Sequence, residues 1–120
     1  MCGEGKTVLI VDDEFAIVEA LTEALAWEGY AVKSASDGRA ALDLLGREQV
    51  DAVLMDLMMP VMSGLETIEA MKRDPRMKDI PVVIMSAGPL PAHDALFTGA
   101  LRKPFDIAQL LATVRSALDR

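Results

Sequence analysis

Val53-Leu54-Met55-Asp56-Leu57-Met58-Met59-Pro60 constrains this chain more than any other stretch. Three apolar residues read as a strand entering a buried sheet, one carboxylate follows, and a proline-terminated turn closes the segment. A carboxylate directly after a buried strand falls at the carboxyl edge of a doubly wound sheet, where such folds place their chemistry. Ser63-Gly64-Leu65-Glu66 is a capping box, so a helix starts soon after the turn. Asp56 thus stands at a strand end beside a short, fixed loop, suited to accept a phosphoryl group.

The remaining segments repeat that strand-then-helix rhythm. Thr7-Val8-Leu9-Ile10-Val11 is β-branched and apolar, and runs straight into Asp12-Asp13-Glu14. Residues 15–28 show helical spacing, with Ile17, Val18, Leu21, Ala24 and Leu25 on one face and Gly29 as the stop. Residues 30–35 form a short second strand. Asp37 can cap a second helix whose inward face is Ala41, Leu44 and Leu45. Residues 50–55 are the third strand and residues 63–72 the third helix, closed by Asp74-Pro75. Residues 80–85 form a fourth strand ending at Ser86. A last helix follows the Asp106…Gln109 box, with Ile107, Leu110, Leu111, Val114 and Leu118 inward. This alternation implies one α/β domain over residues 1–120, a parallel sheet with helices on both faces.

Size and charge narrow the function. A chain of 120 residues suits a single core. The net charge of −7 and the lack of a basic helix argue against a nucleic-acid surface. No apolar run approaches the ~20 residues of a membrane span, and no signal peptide opens the chain, so a cytoplasmic setting is expected. Cys2 is the only cysteine, which excludes an internal disulfide. Gly3-Glu4-Gly5-Lys6-Thr7 imitates the end of a phosphate-binding loop, but the first glycine is missing and the segment precedes a strand.

Asp12 and Asp13, Asp56, Ser86 and Lys103 all fall at strand ends, and parallel strands carry such ends to one edge. Three carboxylates close together repel unless a cation sits among them, and oxygen ligands beside phosphate chemistry favour Mg²⁺. Lys103 would offset charge on an incoming phosphoryl group and the Ser86 hydroxyl would donate to it. Taken singly, Asp12 or Asp13 would cap the first helix, Ser86 would be a turn residue and Lys103 a solvated charge. Met58, Met59 and Met62 read as gap-filling packing. The agreement of four strand ends outweighs those readings.

The Asp12-Asp13 pair, Asp56-Leu57-Met58-Met59-Pro60-Val61-Met62-Ser63-Gly64, Ser86-Ala87 and Lys103-Pro104-Phe105 resemble the receiver domains of bacterial two-component response regulators. The resemblance implies a flavodoxin-like five-stranded sheet of order 2-1-3-4-5. It implies phosphotransfer from a histidine kinase's phosphohistidine, or from a phosphotransfer protein, onto Asp56. It further implies that Asp13, Asp56 and the main-chain carbonyl of Met58 ligate Mg²⁺, with Asp12 acting mainly through metal-bound water. The Ala87 amide and Ser86 hydroxyl would hold phosphoryl oxygens, Lys103 would pair with the same group, and the Lys103-Pro104 bond would be cis.

Such a protein is a signalling switch that catalyses only its own phosphorylation and dephosphorylation, passing the state to an unidentified protein partner or output domain. The sequence departs from the family pattern after Ser86. Residues 87–102 cannot comfortably hold a helix of ~11 residues, a strand of ~5 and two connections. A fourth helix is therefore expected to shrink to a turn or two around residues 92–98, or to be lost. The aromatic that normally swings inward on phosphorylation has no evident counterpart, its approximate place being Ala100. Phe97 and Phe105 are the candidate substitutes, and Phe105 reads better as core, so an atypical output face is expected. A degenerate receiver serving only as an interaction module is the alternative. A phosphohydrolase is disfavoured because Met58 stands where a second acid is needed. His93, the sole histidine, reads as a bystander.

Overall fold

The apolar runs become the strands β1 (Thr7–Val11), β2 (Ala31–Ala35), β3 (Ala52–Asp56), β4 (Val82–Ser86) and β5 (Gly99–Arg102). The helices are α1 (Phe15–Trp27), α2 (Gly38–Arg47), α3 (Gly64–Lys72) and α4 (Ile107–Leu118). The computed structural model describes residues 5–59, 61–89 and 97–119. All strands are parallel, in the order β2-β1-β3-β4-β5, as expected of a flavodoxin-like sheet.

The central strands are buried on both faces because helices cover both. Side chains alternate along each strand. Leu9, Val11, Val53, Met55, Val82 and Ile84 meet Ala41 and Leu45 of α2 and Ile68 and Met71 of α3. Val8, Ile10, Leu54, Val83 and Met85 meet Leu21 and Leu25 of α1 and Leu110, Val114 and Ala117 of α4. Fully burying an aliphatic side chain of this size contributes about 1.5–3 kcal/mol, so these two layers dominate the fold's stability.

Capping follows the sequence closely. Asp37 accepts from the Ala40 amide at 2.8 Å. Ser63 and Glu66 exchange both bonds of their box, as do Asp106 and Gln109. Gly29 takes φ 97° after α1, the left-handed value glycine adopts freely.

Several boundaries and faces differ from expectation. β2, β3 and β4 begin at Ala31, Ala52 and Val82, one or two residues late, because the preceding residues run in ahead of the ladder. Ile107 is 61% exposed, since the first residue of α4 projects ahead of the inward stripe, and Ala117 occupies that layer instead. Met58 is exposed and fills no gap, whereas Met59 packs against the α2/α3 layer. Neither Asp12 nor Asp13 caps α1, whose N-cap is Glu14 without a side-chain bond. The expected helical turn at residues 92–98 falls largely outside the described residues, as do Cys2 and His93. Among the described residues no helix lies between β4 and β5, and Phe97 and Thr98 are not helical.

Candidate functional site

Three backbone bonds carry the strand ladders one step past the sheet and fix the site's framework. The Asp12 amide donates to the Ala35 carbonyl at 3.2 Å, Leu57 to Met85 at 3.1 Å and Lys103 to Ser86 at 2.7 Å. The end of β1 is thereby tied to the end of β2, and the ends of β3 and β5 are tied to the end of β4 that lies between them. The Lys103-Pro104 bond is cis.

At that edge one carboxylate oxygen from each of Asp12, Asp13 and Asp56 lies within 4.8 Å of the others. Asp12 and Asp56 are buried, while Asp13 faces solvent. Asp12 Oδ1 accepts from the Glu14 amide at 2.9 Å, so its capping-type bond serves the loop before α1. The Lys103 ammonium bridges the two buried acids, 3.3 Å from Asp12 Oδ2 and 3.4 Å from Asp56 Oδ1.

Burial pushes the Asp56 carboxyl above its ordinary pKa, and the neighbouring Asp12 charge adds to the rise; Lys103 and the Met58 amide act against it. Burial pulls the Lys103 ammonium down, but Asp12 and Asp56 together outweigh it and leave its pKa raised. The cluster therefore holds more negative charge than one lysine offsets. Three hard oxygen donors in excess of their counter-charge fit a small divalent cation such as Mg²⁺.

Ser86 is buried at the end of β4, beside the β3 end, because Met85 pairs with Asp56 in the ladder. Its hydroxyl is turned into the adjacent loop, accepting from the Gly88 amide at 3.2 Å and lying 3.3 Å from the Gly88 carbonyl. Ala87 is exposed immediately beyond it, and Met58 follows Asp56 in the loop after β3. The structure thus joins Asp12, Asp13, Asp56 and Lys103 directly, with Ser86, Ala87 and Met58 on the same edge.

The loop after β3 is held by contacts the sequence reading missed. The Gly64 amide donates to the Leu57 carbonyl at 3.1 Å. A β-carbon at Gly64 would overlap the Asp56 carbonyl oxygen and sit 2.8 Å from Leu57 Cα. Fully buried Thr67 donates its hydroxyl to the Ser63 carbonyl at 2.8 Å and lies against Gly38 of α2. A glycine directly behind the Asp37 cap was the one available sequence signal for that contact.

Comparison with known proteins agrees with this geometry. Residues 8–115 match the family model of the response regulator receiver domain. Response regulator MprA of Mycolicibacterium vanbaalenii is 37% identical over 118 residues, covering 94% of this chain and 50% of that protein. The chain spans about half the length of the curated relatives it matches. Chemotaxis protein CheY4 of Vibrio cholerae superposes with a TM-score of 0.87 at 32% identity, covering 94% of this chain and 98% of that one. Response regulator TrrA of Thermotoga maritima, solved in complex with Mg(2+)-BeF, gives a TM-score of 0.85 at 31% identity, covering 94% and 99%.

Proposed function

This chain belongs to the response regulator receiver family, and from that premise we propose that Asp56 accepts a phosphoryl group from the phosphohistidine of a sensor kinase or phosphotransfer protein. The observation that carries the reading is the meeting of Asp12, Asp13 and Asp56 within 4.8 Å with Lys103 bonded to two of them. An Asp56 oxygen attacks phosphorus, the donor's phosphorus–nitrogen bond breaks, and the departing imidazole keeps the electron pair. Bound Mg²⁺ would neutralise charge on the transferring phosphoryl oxygens.

Asp12, Asp13, Asp56 and the Met58 carbonyl would hold that ion. Lys103, now shared between Asp12 and Asp56, would turn its ammonium to a phosphoryl oxygen as the Asp56 charge is consumed. The Ser86 hydroxyl would leave Gly88 for a second oxygen, and the amide of Ala87 would serve as a donor beside it. Transfer of this kind is mostly alignment and charge stabilisation, which a preformed edge supplies. The phosphorylated state would then be read, in the cytoplasm, by a protein partner or output domain. A site kept only as an interaction module has no need of two buried carboxylates bridged by one ammonium.

Incubation with acetyl phosphate and Mg²⁺ tests the proposal, with intact mass read on wild type and Asp56→Asn. A phosphoryl adduct on the wild type alone is expected. A folded wild type that takes no adduct, beside a receiver that does, would favour the interaction module.

A further inference from the structure

We propose that Gly38, on a different element from every residue assigned above, is a positioning residue for the phosphoacceptor loop; the inference deepens the reading of Asp56 and rests on it. Gly38 is the first residue of α2 and is buried. A β-carbon there would overlap Thr67 Oγ1 and lie 3.1 Å from both Cβ and Cγ of Met62. Thr67 belongs to α3, and Met62 immediately precedes the Ser63 cap of that helix.

The first turn of α3 is therefore wedged between two glycine contacts. On one side Gly64 lies against the Asp56 carbonyl and Leu57 Cα, with its amide bonded to the Leu57 carbonyl at 3.1 Å. On the other side Thr67 and Met62 lie against Gly38. The Thr67 hydroxyl ties its own turn to the Ser63 carbonyl at 2.8 Å, so displacement at Thr67 is transmitted to the cap. Packed interiors move such a strain onward instead of absorbing it. A side chain at position 38 pushes α3 away from α2, and α3 bears directly on the backbone of Asp56 and Leu57. The Asp56 carboxylate and the Met58 carbonyl shift with it.

Three variants test this: Gly38→Ala, Thr67→Ala and the double substitution, in which loss of the hydroxyl opens room for the added methyl. The first readout is the metal-free amide NMR spectrum, followed at Leu57, Met58 and Gly64. The second is Mg²⁺ affinity by calorimetry. Gly38→Ala should shift those three amides and weaken Mg²⁺ binding by about 10-fold, the usual scale for losing a group that orients metal ligands. The double variant should return both readouts toward wild type, which a helix-stability role for Gly38 would not produce. Unmoved amides at positions 57, 58 and 64 in a folded Gly38→Ala protein would overturn the proposal, as would a double variant no better than the single. If Gly38→Ala fails to fold, the comparison of Thr67→Ala with the double decides by the same amides: matching wild-type positions in the double support it, and displaced ones overturn it. Shifted amides in a protein whose wild type takes neither Mg²⁺ nor a phosphoryl group would sink the functional reading and leave the positioning role standing.

Discussion

The Lys103 ammonium stands 3.4 Å from Asp56 Oδ1, although 47 positions separate the two residues in the chain. The same ammonium reaches Asp12 at 3.3 Å, so one cation bridges the buried acids of two neighbouring strands. Lys103 holds this position because its amide extends the β5 ladder onto the Ser86 carbonyl. Pairing is thus built into the sheet edge, and it sets the behaviour of the site before any ion or phosphoryl group arrives.

Removing the lysine leaves two buried carboxylates without their shared partner. Lys103→Met should lower stability in metal-free buffer at neutral pH by about 1–3 kcal/mol, measured by urea unfolding. Added Mg²⁺ should narrow the gap. The folded pKa of Lys103 lies above 10.5, so its contribution is complete below that pH and is lost as pH rises through the raised value. Wild type should therefore lose its advantage over Lys103→Met in strongly alkaline buffer.

Asp56 carries the opposite sign at neutral pH. Its folded pKa is raised above 3.8, first by burial and then by Asp12, so ionisation is less favourable in the folded chain than in the unfolded one. Asp56→Asn should melt a few degrees higher than wild type at pH 7 without Mg²⁺. The advantage should shrink as pH falls through the raised value and be gone below about 3.8, where both forms are neutral. Thermal scans from acid to neutral pH read the trend directly.

Much of this was legible before any coordinates. β1, β3 and β4 announce themselves because strands buried on both faces need unbroken apolar runs. The Ser63–Glu66 and Asp106–Gln109 boxes formed as read, since capping is a local bargain between residues three apart. Convergence of Asp12, Asp13, Asp56 and Lys103 followed from parallel strands sharing an edge. Exposure of Ile107 and Met58 was not legible, because Ile107 opens its helix and Met58 lies in the loop after β3, where periodicity assigns no face. Nor was the contact of Gly38 with Thr67, which depends on how closely α2 approaches α3. Sequence spacing carries no information about that distance.

Gly64 offers a sharper packing test. A methyl there would overlap the Asp56 carbonyl oxygen and meet Leu57 Cα at 2.8 Å, and backbone cannot turn aside as a flexible side chain can. Gly64→Ala should cost about 1–3 kcal/mol by urea unfolding, the usual range for overpacking. It should also slow adduct formation at Asp56 more than its loss of stability explains, because the strain falls on the acceptor's own carbonyl.

The most direct measurement locates the phosphoryl group itself. An aspartyl phosphate is an acyl phosphate and can be trapped by borohydride reduction before peptide mapping. After treatment with acetyl phosphate and Mg²⁺, the reduced residue should appear at position 56 and nowhere else, and only when Mg²⁺ was present. Reduction at Asp12 or Asp13, or a phosphorylated protein with Asp56 untouched, would contradict the account.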